Sequence, residues 1–538
     1  MTGKVLLIVL DQFRADCVAT SVHNEFSGEA TLESSPLHDA VTLPNLQSLM
    51  QESMTFTQHY TVTTPCGPSR ASLLTGLYAM NHRSVRNGTP LGSHHQTLGQ
   101  HLRCLGVEPM LFGYTDASAD PVGRHPDDPD LKDYEGVANG FNEMVRMRLE
   151  SAGPWVGYLK ARGVDVPSNY WDLYKPELDR STASADYPDG SPVRSPARYA
   201  AEDSDTAFLT NRTLETLAAY ESSSWFSLLT YIRPHPPLVA PAPFNCAVAL
   251  ETLPKPAGRC SVDQLCQSHP FFKSYFSEPA NKGLFIGFDG HCEKLTDHQI
   301  AELRAVYLGL ALEVDQHIGR IISYLRESGQ YDDTLIVVTA DHGEMLGDQH
   351  LWGKSFPFDA ALRVPLIIRD PRSPQSHGTR TEAFTESVDI APTLIEWCGG
   401  DVLPALNGRS LMPYLDGKKP EHWRQYVFSE AELGEPDVPT RFQQMHNLPS
   451  EQANYAVLRT KQYKYVHFNG GLPPMLFDLV TDPDETLNLA NDDGYQSIVM
   501  TLSAQMLNHR MSHAEHSRTG MKLTERGLFT STLVYKFP

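Results

Sequence analysis

The chain has 538 residues, 41% of them hydrophobic and 20% charged, which is the profile of a soluble globular protein large enough for more than one domain. A formal net charge of −21 excludes a nucleic acid or an anionic membrane surface as partner. No apolar run reaches membrane-spanning length, and the apolar stretch Val5 to Leu10 is too short for a signal-peptide core. The expectation is therefore a cytoplasmic protein. Its eight cysteines contain no C-x-x-C pair and are read as reduced thiols.

Lys4 to Leu10 is a continuous apolar run that stops at Asp11, the pattern of a buried parallel strand delivering a carboxylate at its end. Pro44 to Glu52 reads as a short helix. Residues 121–195, rich in Pro, Gly and Asp, are predicted to form a long surface insertion near the site. Ser204 to Tyr220 reads as an amphipathic helix and Trp225 to Tyr231 as a second strand. Thr296 to Ser328 is a long helix, with one apolar stripe through Leu303, Val306, Tyr307, Leu310, Val314 and Ile318 and a capping box of Thr296 with Gln299. Thr334 to Ala340 is a third strand, and it ends on Asp341 and His342. Ligands of open α/β sheets lie outside the carboxyl ends of the strands, so these ends predict one shared site. The alternation of strands and helices predicts an α/β domain over residues 1–400, a large sheet flanked by helices.

The remainder differs. Tyr426 to Glu430, Tyr455 to Arg459, Tyr463 to Asn469 and Leu476 to Leu479 read as short strands, and roughly Gly494 to Leu507 as a helix. They predict a smaller α+β subdomain over 401–516 with an antiparallel sheet. Residues 517–538 form a tail whose stretch from Gly527 holds Leu528, Phe529, Leu533, Val534, Tyr535 and Phe537. An end this apolar should be covered by a second subunit, so a homo-oligomer, dimer or tetramer, is expected.

The sharpest local signal is Thr64-Pro65-Cys66-Gly67-Pro68-Ser69-Arg70-Ala71-Ser72-Leu73-Leu74-Thr75-Gly76. Pro68 suits the first turn of a helix and Gly76 its C-cap. Cys66 then stands at a surface-facing helix N-terminus, where backbone N–H groups and the dipole favour an anion, and Arg70 can reach back to the same point. The spacing of Cys66 and Arg70 is too short for the tyrosine-phosphatase cradle. The competing reading is an inert cysteine buried beside a prolyl turn.

Cys66-Gly-Pro68-Ser-Arg70 followed by Ala-Ser-Leu-Leu-Thr-Gly resembles the signature of sulfatases and phosphonate monoester hydrolases of the alkaline phosphatase superfamily. The resemblance extends to Val5-Leu-Leu-Ile-Val-Leu-Asp11-Gln12, Arg233-Pro-His235-Pro-Pro, Thr339-Ala-Asp341-His342-Gly-Glu-Met-Leu-Gly-Asp and Leu476-Phe-Asp-Leu-Val-Thr-Asp-Pro-Asp-Glu-Thr-Leu-Asn488-Leu. Gly76-Leu-Tyr-Ala-Met-Asn-His and Tyr231-Ile-Arg-Pro-His-Pro-Pro are similar to the phosphonate monoester hydrolase branch. It implies an alkaline-phosphatase-like mixed sheet and a hydrolase of sulfate monoesters (an arylsulfatase) and phosphonate monoesters, promiscuous toward phosphate diesters. The alternative is a dedicated phosphonate monoester hydrolase or phosphodiesterase with sulfatase activity as a side reaction. A two-metal phosphatase or mutase needs more His and Asp ligands and a Ser or Thr nucleophile. A binding protein with a relic site is the non-catalytic reading.

The resemblance further implies that a formylglycine-generating enzyme converts Cys66 to 3-oxoalanine (formylglycine), whose hydrate supplies the nucleophilic oxygen. It places one divalent metal ion on Asp11, Gln12, residue 66, Asp341 and His342. Oxygen ligands with one imidazole suit Ca²⁺ or Mn²⁺ ahead of Mg²⁺. Many sulfatases carry Asp and Asn where this chain has Gln12 and His342, and the Gln–His pair is similar to the phosphonate branch. By the same resemblance Arg70 stabilises the reacting oxygen, His235 and Lys354 contact leaving-group or non-bridging oxygens, one of them as general acid, and Asn87 adds an oxygen contact. Tyr114-Thr115-Asp116 departs from the pattern. Typical sulfatases have Lys and His there, and the phosphonate branch shares Tyr114 but has Thr in place of Asp116. A carboxylate beside an anionic substrate is unfavourable unless it faces a cation or is protonated. Taken alone, Asp-His would read as a capping pair, His235 as a structural histidine and Lys354 as a solvated lysine.

Overall fold

The computed structural model describes residues 3–18, 22–23, 30–31, 36–177, 193–258, 260–277, 279, 283–286, 288–515 and 519–530. Strand β1 (Lys4–Asp11) is buried along its whole length. Leu6, Ile8 and Leu10 enter one apolar core, and Val5, Leu7 and Val9 enter the other. Burial on both faces is why its sequence is apolar without alternation.

The remaining strands of the large sheet are β2 (Met54–Phe56), β3 (Pro109–Gly113), β4 (Asn142–Arg146), β5 (Phe226–Pro234), β6 (Thr334–Ala340), β7 (Leu366–Arg369) and β8 (Thr379–Thr381), in the spatial order β8-β2-β7-β6-β1-β5-β3-β4. β1 lies between β6 and β5, parallel to both, whereas β7 is antiparallel to β6 and to β2. The sheet is therefore mixed, as expected. Leu10 lies opposite Ala340 on one side and Tyr231 on the other, after which the register slips and Asp11 faces Pro234. This slip gathers Asp11, His235 and Asp341 at one end of the sheet.

The longer helices around the sheets include α1 (Pro44–Met50), α2 (Cys66–Thr75), α3 (Gly153–Ala161), α4 (Asp205–Ala219), α5 (Asp297–Glu327) and α6 (Gln496–His513). The capping box of α5 is present: Thr296 Oγ1 accepts from Gln299 N–H at 3.2 Å and Gln299 Oε1 accepts from Thr296 N–H at 2.9 Å. Its apolar stripe is buried in the first core. Asp315, on the same helix, accepts the N–H groups of Asn45 and Leu46 at 3.1 and 2.7 Å. The start of α1 is thus closed from a distant element, and no side chain of its own N-cap does so.

The expected surface insertion over 121–195 needs correcting. β4 is the edge strand of the large sheet, and α3 buries Trp155 completely, its indole N–H donating to the Asp203 carbonyl at 2.8 Å. A short strand and two buried aromatic anchors, Trp155 and Tyr174, leave little periodicity in a stretch so rich in Pro, Gly and Asp. Residues 178–192 lie outside the described residues.

The second sheet holds β9 (Tyr426–Glu432), β10 (Asn454–Thr460), β11 (Tyr463–Phe468) and β12 (Met475–Asp478), antiparallel in sequence. Thr63–Thr64 adds a parallel edge strand beside β9. The chain entering α2 thus belongs to the C-terminal sheet, which fixes the start of α2 against both sheets. α6 runs on past Leu507 to His513. Met521–Thr524 and Gly527–Thr530 form a hairpin on which Leu523, Leu528 and Phe529 are exposed. Leu533, Val534, Tyr535 and Phe537 lie outside the described residues. Among the described residues no helix is long and apolar enough to cross a membrane, and none of the eight cysteines is in a disulfide.

Candidate active site

Helix α2 opens at Cys66 and closes at Gly76, which takes a left-handed φ of 67° and returns its N–H to Ser72 O at 2.9 Å. All its residues are buried, and Cys66 is only 4% exposed. The surface-facing helix start is thus corrected: packing between the two sheets encloses it. Ser69 Oγ donates to the Asp341 carbonyl at 2.5 Å, and Asn87 Oδ1 accepts from Gly67 N–H at 2.9 Å, so both ends of the first turn are tied to neighbouring loops. Burial and the Asp11 carboxylate push the Cys66 thiol well up, against the opposing pull of Lys354. The helix terminus does not make it a thiolate.

Asp11, Cys66, Asp341 and His342 each present one donor atom, all within 4.8 Å of one another and all buried. His342 Nδ1 lies 3.1 Å from the Gly343 carbonyl and must donate to it, which leaves the Nε2 lone pair toward Cys66 Sγ at 3.3 Å and Asp341 Oδ1 at 3.6 Å. Burial and Lys354 hold this imidazole down to about 3, so it is neutral. Gly343 follows because the Ala360 carbonyl would lie 2.1 Å from any Cβ there. Burial and the neighbouring Asp11 raise the Asp341 carboxyl. Burial would raise Asp11 as well, but His235, Lys354 and Arg70 hold it below the usual carboxylate range. Two crowded carboxylates, one neutral imidazole and the residue-66 side chain form a donor set that fits a divalent cation.

Cationic groups close the site. Arg70 Nε donates to Asp341 Oδ2 at 3.0 Å and its Nη2 reaches Asp11 Oδ2 at 3.3 Å. Lys354 Nζ donates to Cys66 Sγ and to Gln12 Oε1, both at 2.9 Å. Gln12 has a left-handed φ of 64°, gives its backbone N–H to Asp341 Oδ1 at 3.1 Å, and donates its amide N–H to Glu344. One lone pair of its Oε1 is thus committed to Lys354. His235 Nδ1 lies 2.6 Å from the Pro236 carbonyl and carries the proton there, so Nε2 is the free face. Burial and Lys354 lower its imidazolium to about 4. His235 and Lys354 line a cavity of about 560 Å³.

Tyr114 donates its hydroxyl to Asp11, receives Arg70 Nη2 at 3.0 Å, and has that guanidinium over its ring, 4.0 Å from centroid to Cζ. Its atoms are engaged behind the carboxylates. Asp116 has a left-handed φ of 51°, is 6% exposed, and leaves Oδ1 buried without a hydrogen bond. Burial pushes its carboxyl up to about 7, Arg70 offsetting part of the rise and Asp11 and Asp341 adding to it. Of the two conditions anticipated for a carboxylate here, the raised pKa favours partial protonation, and Arg70 acts on the group through charge without a direct ion pair.

Asp11, Gln12, Arg70, Tyr114, Asp341, His342 and Lys354 contact one another or Cys66 directly, whereas Asn87 is tied only to Gly67, and His235 and Asp116 act on the cluster through charge. Three supporting residues were not singled out. Glu344 accepts from Gln12 and from the N–H groups of Leu346 and Gly353 at 2.9 and 2.6 Å. Ser69 fixes the Asp341 backbone. Arg233, fully buried, gives Nη1 to the carbonyls of His235 and Pro237 at 3.0 Å each and pairs with Asp205 at 3.1 Å. Glu344 and Arg233 lie within two positions of His342 and His235, a spacing that could have marked them.

A mixed α/β sheet with oxygen and imidazole donors converging beside a helix start has the layout of a metal-dependent active site. Residues 4–400 match the family described as Sulfatase, and residues 347–512 match that described as N-sulphoglucosamine sulphohydrolase, C-terminal. The chain is 38% identical over 533 residues to the multifunctional alkaline phosphatase superfamily protein PehA of Trinickia caryophylli, covering 98% of this chain and 99% of that one. A solved phosphonate monoester hydrolase from Silicibacter pomeroyi is 46% identical with a TM-score of 0.89, covering 98% of this chain and 99% of that one. Another from Agrobacterium radiobacter is 34% identical with a TM-score of 0.89, covering 99% and 100%. The chain belongs to the sulfatase family and is an enzyme of it.

Proposed function

We propose that this enzyme hydrolyses sulfate monoesters and phosphonate monoesters, and phosphate diesters promiscuously, with a formylglycine made from Cys66 and one divalent cation. The observation that carries the reading is the convergence of Cys66, Asp11, Asp341 and His342 within 4.8 Å, with Arg70 and Lys354 against them. A thiol held protonated by burial is a poor nucleophile, which supports a converted side chain over cysteine itself.

Asp11, Gln12, Asp341 and His342 would hold the cation together with an oxygen of residue 66, Ca²⁺ or Mn²⁺ ahead of Mg²⁺ on donor type. Bound there, it would supply Lewis acidity and lower the pKa of an oxygen at residue 66. Arg70 locks both carboxylates in place. Lys354 offers a fixed ammonium to a non-bridging oxygen, and His235 offers Nε2 to the leaving oxygen. Asn87 holds the helix start through Gly67, and Tyr114 orients Asp11 and Arg70.

Charge sets the substrate class. The cation, Arg70 and Lys354 face Asp11, Asp341 and a partly ionised Asp116, inside a chain of net charge −21. That balance suits the single charge of sulfate monoesters, phosphonate monoesters and phosphate diesters better than the near-double charge of phosphate monoesters. Side-by-side kinetics on an aryl sulfate, an aryl phosphonate, a phosphate diester and an aryl phosphate test this, with Cys66→Ala and Cys66→Ser as controls that should lose all of these activities. A preference for the dianion would overturn it.

The large-sheet unit over 1–400, the subdomain over 401–516 and the tail over 517–538 remain our division of the chain. We also propose a homo-oligomer, a dimer or tetramer, supported by the exposed Leu523, Leu528 and Phe529 of the tail hairpin. Light scattering before and after removal of the tail tests it. The formylglycine-generating enzyme is the expected protein partner, and the reduced cysteines fit the cytoplasm.

A further inference from the structure

Two cavities meet beside Lys354. The larger, about 560 Å³, takes in His235 and Lys354 and is walled by Trp171, Phe271, Tyr275 and Phe442. The smaller, about 370 Å³, is lined by Pro65, Arg86, Asn87, Glu432 and Glu435. Ser355 and Leu433 belong to both. Pro65, which precedes Cys66, lines the smaller cavity, and Lys354, whose Nζ is 2.9 Å from Cys66 Sγ, lines the larger, so the buried residue 66 is flanked by the walls of both.

The linings differ in kind. Aromatic faces dominate the larger cavity and suit a flat apolar alcohol. The smaller is polar, and its one cationic side chain is already committed. Arg86 donates to the Gly434 carbonyl and to Ser450 Oγ at 2.8 Å, and it pairs with Glu432 at 3.5 Å. Glu432 also faces Arg83 at 3.8 Å. Glu435 is exposed and makes no direct ion pair among the described residues, Arg86 acting on it only at longer range.

A sulfate monoester carries one carbon arm and needs one cavity. A phosphate diester carries two arms diverging from one tetrahedral centre. We propose that the smaller cavity is a subsite for the second arm: it takes the non-leaving alcohol of a phosphate diester, a short chain ending in an ammonium that faces Glu435, while an aromatic leaving alcohol occupies the larger cavity. The inference rests on the reading above that the site turns over phosphate diesters.

The test compares 4-nitrophenyl 2-aminoethyl phosphate with 4-nitrophenyl propyl phosphate, which differ in the charge at the end of an arm of equal length. 4-Nitrophenyl sulfate, with no second arm, is run beside them. With the metal-loaded, modified enzyme the aminoethyl ester should have the higher kcat/KM by about threefold, the scale of an ion pair at an exposed carboxylate. Glu435→Gln should bring that ratio close to one. A ratio near one in the unaltered enzyme, or a ratio that survives Glu435→Gln, overturns the subsite. If the sulfate is cleaved and neither diester is, the subsite falls while the proposed sulfatase chemistry stands. If no ester is cleaved, that chemistry and the subsite fall together.

Discussion

The Nζ of Lys354 lies 2.9 Å from the Sγ of Cys66, across 288 positions of sequence. Gln12 Oε1 accepts from the same ammonium at 2.9 Å, and Glu344 holds the Gln12 amide from behind. A cation positioned before substrate arrives loses little to reorganisation when charge develops. Lys354→Ala should therefore lower kcat by about 10²–10³, the usual cost of one such donor. Steady-state kinetics on an aryl sulfate measure it, and a loss below threefold would remove Lys354 from the oxygen contacts.

Asp11 and Asp341 are expected to be charged metal ligands, with Glu344 and Ser69 orienting what lies around them. Asp11→Ala or Asp341→Ala should abolish both bound divalent metal and turnover. Glu344→Ala and Ser69→Ala should weaken metal affinity by about 10–100-fold, the range for groups that orient ligands. Elemental analysis after dialysis against graded metal separates the two classes. Full metal content in either aspartate variant would strike that residue from the ligand set.

His235 carries its proton on Nδ1 toward the Pro236 carbonyl, and the imidazolium is lowered to about 4. The neutral ring has only a lone pair at Nε2, so donation to a leaving oxygen requires a second proton, which an anionic substrate favours. The account predicts that His235→Ala hurts esters of weakly acidic alcohols most, by about 10²–10⁴, and esters of acidic phenols little. Equal losses across a leaving-group series would point to a purely positional role.

How far the sequence reached depends on the range of the interaction. β1, β5 and β6 were legible because both faces of each are buried and the runs end on site residues. The Thr296–Gln299 box and the Gly76 cap were legible because they are local. The tie from Asp315 to the start of α1 was not, nor the pairing of Thr63–Thr64 with β9, since each joins residues hundreds of positions apart. Cys66 was misplaced at the surface for the same reason: only that second sheet shows that its helix start is enclosed. Ligand types at strand ends could be read from the chain. The commitments of Asn87 to Gly67 and of Tyr114 to Asp11 and Arg70 could not.

Asp116 offers a pH-dependent test. Its carboxyl is raised to about 7, so below that pH it is largely protonated and resembles Asn, and above it the group is an anion beside the substrate. Asp116→Asn should leave relative activity on aryl phosphate unchanged at pH 6 and raise it about tenfold at pH 8, the scale of one unit charge in a buried site. The ratio of aryl phosphate to aryl sulfate kcat/KM at both pH values gives the answer. A variant indistinguishable from the unaltered enzyme at pH 8 would show that Asp116 does not sense substrate charge.

The central claim is that residue 66 works as formylglycine and not as cysteine. It is tested most directly by preparing the enzyme with graded amounts of formylglycine-generating enzyme and measuring, in each preparation, both the aldehyde fraction of the Cys66 peptide by mass spectrometry and the rate of aryl sulfate hydrolysis with metal in excess. Conversion exchanges one sulfur and two hydrogens for one oxygen, so the two forms are resolved by mass. The account predicts that rate rises in proportion to the aldehyde fraction, along a line through the origin. Substantial hydrolysis by a preparation whose residue 66 is entirely thiol would contradict it.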